Sequence, residues 1–495
     1  MKSSSSPNTR NPLSTGCLAL FGLPFAGFGL FALGMCVREA QAGKLNQAAM
    51  LAIFGLVFSS VGFGLGAGAF YAQRKLKAIA DKRAQHPTQP WLWRDDWAAG
   101  EVRSTGRGKI FALWLITLFW NAVSSFVWFV VPAELAKGRR AAWVAFLFPA
   151  VGLLMLFGAI RATLTWRKFG QARFRSKSLP GTPGGVLEGH IELNSRLAAA
   201  DGLRLQLRCV CRESSGSGKN RRTTDHTLWE DEKLLGPNLP EHRPYCTTIP
   251  VFFRLPPDQP ESDHDDDPQR NLAWRLRASA KVAGPDLDVE FEVPVFKTGV
   301  AALPANAPDP TAKYQLPLDQ MRLAGHSRIQ VADTYTGARE FIFPAARNLS
   351  AAVGGAGFAL VWTGVIWFLL HVRAPLIFPI VFGLFDLLLL WFCAELWLRS
   401  SRIVISRQEV TVTHRWVLFR RATTIPTADV AGITTKIGMT SGQFSYYDLK
   451  LTRRNGRPVT VGTAVPGKVE AEWLVHEMEM ALGKNNSAAT RERLP

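Results

Sequence analysis

Few side chains in this sequence sit where they could do chemistry, and the most conspicuous lie inside apolar runs. Asp386 falls near the middle of a run at roughly 375–398, Glu395 near its end, and Asn121 within another at roughly 110–131. An acid at the centre of a hydrocarbon layer costs about 2.5–3.5 kcal/mol on insertion scales. Asp386 must therefore face other helices, with Asn121 as a candidate partner, whereas Glu395 is close enough to the end of its run to reach the interface. Proton and ion pathways use such groups but need polar residues along several runs, so structural pairing is the favoured reading.

The remaining chemistry-bearing types are sparse. Leu203, Leu205, Leu207, Cys209 and Cys211 alternate in one strand and share a face, which makes the two thiols small core residues. A zinc site would recruit His226, His242 and Cys246, but those spacings match no standard ligand pattern. Three cysteines outside the apolar runs (Cys209, Cys211, Cys246) are too odd a number for a disulfide framework. Glu261–Asp267 is acidic but lacks the glycine and terminal glutamate of a calcium loop. There is no phosphate-binding glycine loop, nucleophile elbow, H-E-x-x-H or kinase set. No catalytic residue, cofactor or metal is expected, and the protein is read as not an enzyme.

Two groups of residues are candidates for contact with a partner or with lipid. In Pro90-Trp91-Leu92-Trp93-Arg94-Asp95-Asp96-Trp97, Trp93 and Trp97 share a helical face and Arg94 stands beside two acids. Tryptophans beside a span anchor the headgroup zone; the alternative is a docking surface for a partner helix or headgroup. Near the C-terminus, Arg420, Arg421, Arg453 and Arg454 head a set of arginines able to meet anionic headgroups.

These residues are positioned by six apolar runs, roughly 17–37, 49–72, 110–131, 142–163, 351–372 and 375–398. A helix rising 1.5 Å per residue needs about 20 apolar residues to cross a ~30 Å hydrocarbon core. Only a helix satisfies its own backbone there, so the expectation is a six-span α-helical membrane protein with two β-rich soluble domains. The first run is too long for the core of a cleavable signal. A net charge of +19 raises nucleic acid as a partner, but the basic residues flank the runs, as expected beside anionic lipid. Segment 73–109 carries nine of them against three (Lys137, Arg139, Arg140) in 132–141, which places 73–109, both termini and both soluble domains in the cytoplasm.

The first two runs share a loose repeat, Gly22-Leu23-x-Phe25-x-x-x-Gly29 and Gly55-Leu56-x-Phe58-x-x-x-Gly62. Gly62-x-x-x-Gly66 and Gly64-x-x-x-Gly68 add a spacing that lets helices approach closely. The expected domains are 1–163 (four spans with the loop 73–109), 164–296 (a β domain), 297–348 (linker and a short hairpin, Ile329–Val331 with Phe341–Phe343), 349–398 (a two-span hairpin), 399–483 (a second β domain) and 484–495 (a disordered tail). Strand patterns in the first β domain fall at 184–196, 203–212, Thr247–Leu255, Leu272–Val282 and Leu287–Phe296, the last two turned by Gly284-Pro285-Asp286. In the second they fall at 402–406, 409–414, 416–421, 446–453 and 458–462, closed by a helix at about 467–482.

Ile249–Pro256, Trp274-Arg275-Leu276 and Phe291–Val295 resemble the second half of an arrestin-type β-sandwich over about 100 residues. Ile425-Pro426, Asp429-Val430, Tyr446–Leu449 and Glu470–Leu474 resemble the bacterial PH-like domains of membrane proteins. Over nearly its full length, through residues 90–100 and Phe343–Asn348, the chain is similar to a family of uncharacterised bacterial polytopic inner-membrane proteins. That resemblance implies architecture and no activity. The expected function is a non-enzymatic scaffold or adaptor, with an integral membrane setting, a protein partner and anionic lipid; the alternative is an ion-coupled transporter using Asp386 and Glu395. Cysteine labelling with an impermeant maleimide in intact cells should mark a cysteine placed at Gly138 and miss those at Ser217 and Ser441. Labelling at Ser217 reverses the orientation.

Overall fold

A computed structural model describes residues 12–483, apart from 139, 171, 178–179, 200–201, 216–221, 244–245, 263–269, 299–307, 317–327, 336, 372, 374, 417–418 and 442–443. The expected tail at 484–495 and most of the acidic run 261–267 lie outside the described residues. Among the described residues, six helical segments are long and apolar enough to cross a membrane. The chain forms two compact units, 1–315 and 316–495.

In the first unit, α1 (Pro12–Gln41) and α2 (Leu45–Gln85) make an antiparallel pair. Its seam is the glycine repeat: a Cβ on Gly29 would lie 2.3 Å from Ser59 N, and one on Gly62 would lie 2.3 Å from Ala26 N. Gly22 and Gly55 are equally closed, by Gly62 O and Leu33. Gly66 and Gly68 face open space, so Gly62-x-x-x-Gly66 and Gly64-x-x-x-Gly68 are not the contact. The repeat itself brings the backbones together.

A short α3 (Asp95–Ala98) and a three-residue strand β1 (Glu101–Arg103) follow. Then come α4 (Gly106–Ser125), α5 (Val127–Ala136), α6 (Leu147–Phe169) and β2 (Arg173–Ser176). β1 and β2 pair antiparallel, with Val102 opposite Phe174, so the apolar α4–α6 hairpin is inserted between two neighbouring strands of one sheet. The sheet continues through β3 (Val186–Leu193), and the full order is β1-β2-β3-β7-β6 with β6 (Glu241–Arg243) and β7 (Cys246–Arg254). A second sheet has the order β5-β4-β8-β9: β4 (Leu203–Ser215), β5 (Arg222–Leu235), β8 (Arg270–Ala280) and β9 (Leu287–Val293). Phe174, Ile191, Ile249 and Phe253 of the first sheet share one core with Leu205, Trp274 and Phe291 of the second. On the other face of β8 and β9, Arg277 donates two hydrogen bonds to Asp288 (2.7 and 2.8 Å), and Arg275 lies 3.7 Å from Glu290. Residues 308–315, expected as linker, fold back onto this unit: Lys233 pairs with Asp309 (2.5 Å) and Leu235 bridges Gln315.

In the second unit, β10 (Gln330–Asp333) and β11 (Arg339–Phe343) precede the apolar hairpin α7 (Leu349–His371) and α8 (Ile377–Leu398). Beyond it come β12 (Arg399–Ile405), β13 (Glu409–Trp416) and β14 (Phe419–Pro426), in a sheet of order β10-β11-β12-β13-β14. The β10–β11 hairpin is therefore part of this domain and not of a linker, because β11 pairs directly with β12 across the helices. A three-stranded sheet follows: β15 (Val430–Ser441), β16 (Phe444–Arg453) and β17 (Val459–Pro466). α9 (Lys468–Ala481) closes the core with Ala471, Trp473, Leu474 and Met478.

Gly62→Val should lower the unfolding midpoint of the detergent-solubilised chain, by the roughly 1–3 kcal/mol of an overpacked contact. Gly66→Val should leave it unchanged. Equal effects would place the seam elsewhere.

Candidate functional site

The Trp-rich segment folds locally for clear reasons. Pro90 opens a 3-10 turn, Pro90–Leu92, where its missing N–H costs nothing. Asp95 and Asp96 occupy the first turn of α3, where helix N–H groups favour negative charge. Gly100, at φ +71°, turns the chain out into β1.

Its aromatic rings are used inside the chain. Trp97 is 5% exposed, and its Nε1–H donates to the Glu292 carbonyl at 3.0 Å. Trp91 and Trp97 both lie against Phe296, with ring centres 5.9 and 5.8 Å away. Trp93, 7% exposed, donates to His86 O at 2.7 Å beneath the Arg83 guanidinium. Arg94 covers Trp97 at 4.1 Å and binds Glu292 Oε1 (2.6 Å) and Asp96. Burial alone would lower the Arg94 pKa. The hydrogen bonds donated to Asp96 and the charge of Glu292 more than offset it and hold the group above its ordinary value. Trp93 and Trp97 thus serve as internal anchors, with little ring left for a headgroup.

The same segment closes an open sheet edge. β9 is the last strand of its sheet, and its outward carbonyls would otherwise be free to recruit another chain. Trp97 Nε1 takes Glu292 O, and the Thr105 backbone N–H takes Glu290 O at 3.0 Å. Between α2 and this segment lies a cleft of about 560 Å³, lined among others by Lys75, Lys82, Trp93, Arg94 and Arg103. Lys82 in it is paired with Asp95.

Asn121, Asp386 and Glu395 each find a partner within their own unit. Asn121 Nδ2 donates to Thr117 O (2.8 Å) and to Gly152 O of α6 (3.0 Å). Asp386, 8% exposed, accepts from Thr363 Oγ1 of α7 at 3.0 Å. Glu395 pairs with Arg399, one turn on, at the end of α8. The thiol of Cys209 is buried in the first core, and burial pushes it up to about 12, with Cys211 adding to the shift. Among the described residues no cluster of three or more His, Cys, Asp or Glu could hold a metal.

The arginines of the second unit fall at opposite ends. Arg399, the first residue after α8, stands opposite Trp416, and Trp416 opposite Phe419, so Arg420 and Arg421 lie at the helical-hairpin end of the sheet. Both are exposed. Arg453 is bound to Asp429 (3.0 Å), and Arg454 N donates to Asp429 O. Asp429 follows β14 at the other end, where Thr427 N donates to Gln408 O. Arg453 and Arg454 therefore point away from the helices, and Arg453 is engaged.

Sequence reasoning passed over Arg347, between β11 and α7. It donates to Thr463 Oγ1 (2.9 Å) and lies over Phe343. Burial, then the nearby Arg399 charge, push it down to about 10, so it stays charged at neutral pH. Its sequence signal is its place within the turn-rich run Pro344–Asn348, which carries the family resemblance but no site assignment.

No family model and no curated protein matches the chain. Among solved structures it is similar to Spo0M, a sporulation control protein from Bacillus subtilis, at 9% identity. The match covers 52% of this chain and 90% of that one, with a TM-score of 0.19, too low to carry an argument.

Trp97→Ala should destabilise the first unit by about 3–5 kcal/mol, the usual cost of truncating a buried tryptophan. Limited trypsin digestion in detergent should then cut at Arg94 or Arg103 far faster than in the wild type. Unchanged cleavage would mean the segment is held by β1 alone.

Proposed function

We propose that this protein is a non-enzymatic scaffold or adaptor of a bacterial inner membrane, whose two β-rich domains bind protein or lipid partners at the cytoplasmic face. The observation that carries this reading is that each β domain has an apolar two-helix hairpin inserted between neighbouring strands. A module so threaded stays within a few residues of the bilayer that the hairpin crosses. Two sheets over one core support the arrestin-type resemblance of the first domain. Five strands and three strands closed by α9 support the PH-like resemblance of the second. Nine basic residues in 73–109 support a cytoplasmic placement.

Truncation at 399 is a poor test, because it strips β11 of β12. Charge reversal on the exposed surface is cleaner. Affinity purification of the full chain from crosslinked membranes should recover a reproducible partner set. Lys75→Glu with Arg103→Glu, at the cleft, or Arg454→Glu, at the far end of the second domain, should lower that recovery about tenfold, equivalent to ~1.4 kcal/mol. No recovery above background from the wild type, or full recovery from every variant, removes the adaptor reading. The alternative, an ion-coupled transporter, draws on the buried Asp386 carboxylate beside Thr363. In that case Asp386→Asn abolishes cellular function while expression and partner recovery persist. Wild-type behaviour of both Asp386→Asn and Asp386→Leu rejects it.

A further inference from the structure

We infer that the paired strand ends of β13 and β14, where Trp416 stands opposite Phe419, form a second membrane contact, one that seats Phe419 in the leaflet from which α8 emerges and sets Arg415, Arg420 and Arg421 against anionic phospholipid headgroups. The inference rests on α7 and α8 being spans and names the lipid partner of the second β domain.

Strand register supplies the geometry. α8 ends at Leu398 and β12 begins at Arg399 with no intervening residue. Arg399 pairs with Trp416, and Trp416 with Phe419. Neighbouring strands lie about 4.8 Å apart, so Trp416 and Phe419 stand beside the end of the helix. Strand ends at that height meet the interface zone, where aromatic side chains partition.

The side chains suit that place and no other in the domain. Phe419 is 72% exposed and stacks on Trp416, with ring centres 6.2 Å apart. Trp416 is half-buried, whereas Phe419 beyond it is left with most of its ring uncovered. The pair is flanked by Arg415 before it and by Arg420 and Arg421 after it, a spacing that lets apolar rings descend while cations remain with phosphates. No acid lies between Thr411 and Ala428 in the chain. The far end of the same sheet shows the contrast: Ile425 is buried, and beyond it Asp429 binds Arg453. His414, half-buried beside these strand ends, is held below its ordinary value, by burial first and by Arg399 and Arg421 as well, so it adds no charge at neutral pH.

The test uses the full chain with p-benzoylphenylalanine replacing Phe419, or replacing the exposed Thr424 five positions up the same strand. Irradiated in nanodiscs of phosphatidylcholine with one quarter phosphatidylglycerol, the probe at 419 should form phospholipid adducts enriched in phosphatidylglycerol, and the probe at 424 should form none. Arg420→Gln or Arg421→Gln should each reduce phosphatidylglycerol adducts by roughly fivefold, the effect of one basic side chain at an anionic surface. Their yield in pure phosphatidylcholine should not change. Absence of lipid adducts at 419, or adducts to another protein when native membranes are irradiated, overturns the inference. Equal yields in the two lipid compositions overturn the assignment of the arginines. A lipid contact at 419 in a chain that recovers no partner separates failure of the adaptor reading from failure of this one.

Discussion

The structure depends on main-chain pairing between strands that a helical hairpin separates in sequence. β1 pairs with β2 across α4–α6, and β11 pairs with β12 across α7 and α8. Paired strands run about 4.8 Å apart, whereas packed helices need about 8–10 Å. The connectors must absorb that mismatch. In the first unit Ser104 and Ala172 do so while staying hydrogen-bonded (3.3 Å), with Ser104 Oγ reaching Gly170 O (3.1 Å). In the second, α8 enters β12 directly, so the whole adjustment falls on Pro344–Asn348. There Ala346 adopts φ +51°, a left-handed conformation that costs a non-glycine residue roughly 1–2 kcal/mol. Arg347 in the same turn is half-buried, and its bond to Thr463 fastens the connector to β17.

The inserted hairpins also tie sidedness to folding. Because Glu101–Arg103 and Arg173–Ser176 share a sheet, the loop after α2 and the β domain that follows α6 must occupy the same side of whatever α4–α6 cross. That conclusion rests on hydrogen bonds and is independent of where the basic residues fall. Asp386 and Asn121 are likewise satisfied locally, by Thr363 and by Gly152, without recourse to distant helices.

Much of the architecture was legible in the sequence, where the physics is local. Apolar length marks the helices, and Gly284, at φ +85°, marks the β8–β9 turn. Alternation marks Leu203–Cys211, all buried in the structure at odd positions. Other strands, β1, β5 and β15 among them, were not legible. β1 is Glu-Val-Arg, too short for any periodicity, and only its partner 70 residues on defines it. β5 reads Arg-Thr-Thr-Asp-His-Thr-Leu-Trp-Glu-Asp-Glu-Lys, a polar strand without a clean alternation, as befits one whose Asp225 binds Arg212 across the pair (2.7 Å). β15, Val430–Ser441, carries glycine and threonine where a strand signal would need apolar alternation. At the candidate sites, the tryptophans were conspicuous by type, but their destination was hidden. The receptor for Trp97 is a backbone carbonyl, which carries no residue identity, and Phe296 sits beyond the end of a strand.

The bond between Trp97 and Glu292 joins residues 195 positions apart. A ribosome adding roughly 5–20 residues per second needs on the order of 10–40 s to cover that distance. During that interval the nascent chain completes α4–α6 while Trp91 and Trp97 still lack Phe296, whereas Trp93 already has its seat on His86. The edge of β9 is likewise open until Trp97 returns. Trp97 is thus synthesised early and seated late, and a chain arrested before Leu287 has no β9 edge for it to close.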